Sequence, residues 1–133
     1  MLVHFPIAFW TAGSACDALT LLGVRGAWPL GWYALAAGCT MALPVATAGL
    51  LDIASLDDEA ARVANRHMLA MVSALTAYCV ALLVRSQGGD AAPEPALLPV
   101  ALDGLGFVLL TIGGHLGASL VYRHGAGRYK GAP

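Results

Sequence analysis

Apolar residues run almost unbroken through four stretches, Leu2 to Val24, Leu30 to Ile53, Met68 to Val84 and Leu97 to Tyr122, and polar residues collect between them. Each stretch is close to the roughly 17 to 25 residues that carry a helix across a bilayer. The connections 25–29, 54–66 and 85–96 are short, so consecutive helices are expected to run antiparallel. The pattern predicts an all-α fold, an integral membrane up-down four-helix bundle, with residues 1–133 forming one transmembrane domain. Its helices are expected at about 2–24, 30–53, 57–85 and 97–123.

Local signals refine these limits. Ser55-Leu56-Asp57-Asp58-Glu59 reads as a capped helix start with acidic residues in the first turn, so the third helix begins before its apolar stretch. Gly88-Gly89-Asp90 and Pro93-Glu94-Pro95 mark the last connection as turn-forming. Pro44 suggests a kink in the second helix and Pro99 a first-turn proline in the fourth. Trp28, Trp32 and Tyr33 at one boundary, with Tyr122 and Tyr129 at the other, read as aromatic belts.

Composition agrees with a bilayer environment. Hydrophobic residues make up 59% of the 133 residues and charged ones 11%, against about a quarter charged in soluble domains. A net charge of −1 without a basic stripe sets nucleic-acid binding aside. Cys16, Cys39 and Cys79 form no C-x-x-C pair and lie in apolar runs, where they are expected to pack as small apolar residues. No basic segment or small-residue cleavage site of a secretory signal accompanies the first apolar run, so that helix is expected to remain.

Basic residues give an orientation. Arg62, Arg66, Arg123, Arg128 and Lys130 fall on the side of the chain termini, and only Arg25 and Arg85 on the other. The positive-inside rule then predicts both termini in the cytoplasm.

The topology gives the four histidines a common side. His4 begins helix one, His67 lies near the start of helix three, and His115 and His124 lie toward the end of helix four; Asp52 ends helix two. At about 1.5 Å per residue, His4, His67 and Asp52 fall roughly 14 to 15 Å from the midplane, His115 about 9 Å and His124 about 22 Å. A low-spin haem b takes two imidazoles from different helices at similar depth, in an apolar cleft with small residues along the ring. His67 with His115 is the first pair by depth, and His4 with either is the next. Gly113, Gly114 and Gly117 offer a small-residue surface for a ring, and Arg62, Arg66, Arg123 and Tyr122 are placed to meet propionates. One haem is expected rather than two, because four histidines on one side leave little room for two pairs.

Other readings use the same residues. His4, Asp52, His67 and His124 could hold a bare metal ion, although no H-x-x-x-H spacing supports it. Histidines at helix ends also serve as hydrogen-bonded interfacial residues. Asp17 and Asp103 lie beyond the midplane, where they could relay protons or pair with Arg25 or Arg85; bonding in protonated form to Thr20, Thr111 or each other is the preferred expectation. Met41, Met68 and Met71 are scattered and read as packing.

His4-Phe5-Pro6-Ile7-Ala8, His67-Met68-Leu69 and Gly117-Ala118-Ser119-Leu120-Val121-Tyr122-Arg123-His124-Gly125 resemble, across essentially the whole chain, a family of small bacterial four-helix membrane proteins of unknown function. That family in turn is similar to the four-helix, haem-binding cytochrome b superfamily. The resemblance implies haem ligands among His4, His67 and His124, whose positions match the family pattern. His115 departs from it, standing where the family has an aromatic residue.

The expected function is therefore bis-histidine binding of haem b and electron transfer within a membrane complex. Expected partners are the bilayer, other membrane subunits or a redox partner, or a further copy of the chain. No nucleophile or spaced acid–base pair points to an enzyme acting alone. The competing reading is a structural or assembly subunit without a cofactor.

Overall fold

The computed structural model describes residues 2–53, 56–87 and 96–126. These described residues form four helices: α1 (His4–Leu21), α2 (Ala27–Ile53), α3 (Asp58–Ser86) and α4 (Leu97–Tyr122). The expected turns at Gly88-Gly89-Asp90 and Pro93-Glu94-Pro95, and the residues Ser55, Arg128, Tyr129 and Lys130, lie outside the described residues.

Helix limits follow local chemistry. α1 stops at Leu21, short of the expected 24, where Gly23 and Gly26 take φ values of 78° and 82° and turn the chain back. α2 starts three residues before the expected 30, because Pro29 sits in its first turn, where a missing N–H costs nothing. α3 is capped by Asp57, whose carboxylate accepts from the Ala60 N–H at 2.8 Å; Asp58 and Glu59 follow in the first turn. Pro44 lies within α2, and Pro99 in the first turn of α4.

The bundle consists of two tight antiparallel hairpins, α1 with α2 and α3 with α4, that meet more loosely along α2–α3 and α1–α4. Glycines on one helix receive large side chains from its neighbour. Trp10 lies over Gly38 and Leu35 over Gly13 in the first hairpin; Tyr78 lies over Gly106 and Met71 over Gly113 in the second. Because Gly38 and Gly106 leave space, Trp10 of α1 and Tyr78 of α3 reach across the centre and stack, with centroids 4.9 Å apart and planes 19° from parallel. Leu35, Ala42, Ala74 and Leu110 complete this core.

The interior is otherwise made of small residues and the exterior of large apolar ones. Ala60, Ala64, Ala70, Ala74, Ala77 and Ala81 are buried along α3, while Leu43, Leu51, Leu69, Leu83 and Leu97 are exposed. Such an arrangement suits a bilayer, where close backbone approach holds helices together and lipid covers the outer side chains. α2 (over Ala27–Leu51), α3 and α4 are long and apolar enough to cross a membrane. Where four such helices are expected from sequence, α1 falls outside this group. At 18 residues it measures about 27 Å, and Ser14, Asp17 and two threonines dilute its apolar character.

Cys16 is buried and Cys39 and Cys79 half-buried, all three as free thiols. Trp28 departs from the expected aromatic belt, being turned inward and only 5% exposed, whereas Trp32, Tyr33 and Tyr122 remain at the surface.

Candidate functional site

Two ends of the bundle hold the polar chemistry. At the end away from the termini, Trp10, Ser14 and Asp17 share one face of α1 at helical spacings of four and three, and Tyr78 and Arg85 share a face of α3 two turns apart. Their helices are diagonal in the bundle, so the two stripes face each other through its centre. Arg85 Nη1 donates to Asp17 Oδ1 at 2.5 Å, and Nη2 donates to the carbonyl of Trp28 at 2.6 Å. The guanidinium carbon lies 3.9 Å from the centroid of the Trp28 ring. Gly31 of α2 makes room, since a Cβ there would stand 3.1 Å from both Arg85 Nη2 and Asp17 Oδ1.

Asp103 enters the same region from α4 and is 2% exposed. Ser14 stands beside both Tyr78 and Asp103, though without regular hydrogen-bond geometry. The preferred expectation for the two aspartates is corrected: Asp17 takes Arg85, and the threonines are spent on their own helices. Thr20 donates to the Cys16 carbonyl and Thr111 to the Phe107 carbonyl, both at 2.9 Å. Arg85 likewise is an interior residue rather than a boundary charge.

At the other end, His67 is half-buried between α3 and α4. Its Nδ1–H donates to the Gly113 carbonyl at 2.8 Å, and its ring covers Gly117, where a Cβ would lie 3.1 Å from Cε1. Gly113 is covered by Met71, while nothing lies within 4 Å of a Cβ placed on Gly114. The glycines expected to face a haem ring thus receive the side chains of α3 or, at Gly114, face outward.

His115 does not meet His67. It lies two positions from both Gly113 and Gly117, about 200° around the helix, and is exposed on the face turned away from α3. The first pair expected from depth is corrected on this ground, because depth fixes height along a helix and not direction around it. His4 is exposed in the first turn of α1, and His124 is half-buried just beyond α4. Arg62, Arg66, Arg123 and Tyr122 are exposed at this end. Asp52 belongs to the last turn of α2, and its side chain lies outside the described residues. Among the described residues no three His, Cys, Asp or Glu side chains gather as metal ligands; the expected bare-metal set of His4, Asp52, His67 and His124 includes Asp52, whose side chain lies outside them.

Sequence reasoning missed Trp10, Ser14, Tyr78 and Trp28 as partners of the buried charges. The spacing of Trp10, Ser14 and Asp17 held the signal: three polar-headed residues on one face of an apolar helix.

Neither a curated protein nor a solved structure matches the chain. Residues 1–130 match the family described as predicted membrane protein (DUF2231). With nearly its whole length covered, the chain belongs to this family of predicted membrane proteins.

Proposed function

We propose that the protein binds one b-type haem at the terminal end of the bundle and passes electrons within a membrane complex, with His67 as one axial ligand. The observation that carries the reading is the His67 ring. A backbone carbonyl on Nδ1 fixes the tautomer and orientation, leaving Nε2 as the basic atom, which is how ligating histidines are commonly held. His4 or His124 supplies the second imidazole; His115, facing away, does not. The resemblance to the haem-binding cytochrome b superfamily expected from the sequence implies the same three histidines.

Two further features favour this end. No residue of α2 between Leu43 and Leu51 is buried, so an apolar helix end is available to cover a hydrophobic group. Arg62, Arg66, Arg123 and Tyr122 offer donors for propionates. When bound, haem supplies a reversible one-electron change at iron; the chain orients an imidazole, excludes water with apolar side chains and balances carboxylate charge.

The unpartnered end of α2 also favours a second reading, an assembly subunit whose α2 packs against another membrane chain. A reduced-minus-oxidised absorption spectrum of the purified full chain separates them. The b-type bands are expected, and their absence from protein made in haem-sufficient cells would leave the assembly reading.

The setting proposed is a bacterial inner membrane with both termini in the cytoplasm. Arg85 turns into the bundle, so among the described residues Arg25 is the Arg or Lys left at the opposite boundary.

A further inference from the structure

The far half of the bundle holds more polar capacity than its own contacts use. Trp10 Nε1, Ser14 Oγ, Asp17 Oδ2, Tyr78 Oη, Arg85 Nε and Asp103 Oδ1 are all buried and make no hydrogen bond to a described protein group. Trp10, Asp17, Tyr78, Arg85 and Asp103 are each at most 2% exposed. Polar atoms withdrawn from water and left without a partner are costly, and five of these six follow the facing stripes of α1 and α3, with Asp103 Oδ1 beside them. Both donors and acceptors are represented, which is the requirement for binding water inside a protein.

Charge narrows what the column does. Two carboxylates share this apolar interior with one guanidinium, and that guanidinium is bound to Asp17 and to the Trp28 carbonyl. Among the described residues Asp103 has no such bond. With both carboxylates ionised the interior carries an uncompensated negative charge, which a proton on Asp103 removes.

We propose that this column is a buried proton-binding site, in which Asp103 gains and loses a proton through internal waters held by Ser14, Tyr78 and Trp10, while Asp17 remains paired with Arg85. The proton passes between the Asp103 carboxylate and an adjacent water, which exchanges it along the column, and no other bond changes. The groups facing Asp103 are Ser14 and Asp17 from α1 and Tyr78 and Arg85 from α3, with the Trp28 carbonyl of α2 fixing Arg85 and Cys39 of α2 in the neighbourhood of Tyr78 and Trp10. Arg85, with the Trp28 ring against it, forms the outer end of this column. The site is independent of the haem reading, lying at the opposite end of the bundle from His67.

The test is infrared difference spectroscopy of the full chain in phosphatidylcholine vesicles as pH is varied. A protonated-carboxyl stretch at the high frequency of a carboxyl shielded from water, apart from that of exposed residues such as Asp58 and Glu59, is expected to titrate in the wild type, to persist with a lowered midpoint in Asp17→Asn, where Arg85 loses its competing carboxylate, and to be lost in Asp103→Asn. No such high-frequency band, or one that persists in Asp103→Asn, would overturn the proposal. If Asp103→Asn does not fold, Ser14→Ala and Tyr78→Phe carry the test. Each is expected to move the midpoint by about half to one pH unit, the loss of one hydrogen bond of about 0.5–1.5 kcal/mol at 1.36 kcal/mol per unit. A midpoint unmoved in both would equally overturn it.

Discussion

Arg85 and Asp17 meet in the bundle interior across 68 positions of sequence, their Nη1 and Oδ1 atoms 2.5 Å apart and both side chains at most 1% exposed. The contact joins diagonal helices, so it ties one hairpin to the other where their packing is loosest. Removing one partner leaves a charge in a medium that cannot solvate it. Arg85→Ala is expected to destabilise the protein by about 3–5 kcal/mol, read by denaturant unfolding in detergent followed by tryptophan fluorescence. The double variant Asp17→Leu/Arg85→Leu, which removes both charges, should regain most of that loss. A double variant as unstable as the single one would show that the pair does more than neutralise itself.

Close approach at glycine makes a second, purely steric prediction. A Cβ at Gly38 would stand 2.5 Å from Trp10 Cδ1, whereas one at Gly104 meets nothing within 4 Å. Gly38→Ala should therefore cost about 1–3 kcal/mol through displacement of the indole from Tyr78. Gly104→Ala should be neutral or stabilising by up to about 1 kcal/mol, since alanine is the better helix residue. Thermal melts of the two variants in the same detergent give the comparison.

For the proposed haem, His67→Ala should abolish the b-type spectrum and His115→Ala should leave it intact. Gly117→Ala introduces a Cβ 3.1 Å from the His67 ring and should weaken haem retention without removing a ligand, while Gly114→Ala should not. Loss of haem in His115→Ala with retention in His67→Ala would reverse the ligand assignment.

Orientation can be read by fusing a compartment-specific reporter after Pro133 and, separately, within the α1–α2 turn at Arg25. A cytoplasmic signal is expected from the first and none from the second. The opposite pattern would place the basic, histidine-bearing end on the outer side.

Much of the fold was legible in the chain because a bilayer imposes simple rules: backbone groups must be satisfied within helices, and span length is set by thickness. The Asp57 cap could be read from its acidic sequence, and the common side of the histidines followed from counting helices. Direction around each helix was harder to read. The run around His115 is apolar on all sides, so periodicity could not say which face turns inward, and depth alone paired it with His67.

By itself the sequence determined four helices, their antiparallel order and which residues lie near each boundary, because these depend on local hydrophobicity and connection length. Tertiary structure alone decided that Arg85 leaves the boundary for Asp17, that Trp28 covers it, and that His67 rests on Gly117 while His115 faces out. Those choices depend on which side chains meet across the bundle, where one buried charge requires another and one large side chain requires a glycine opposite.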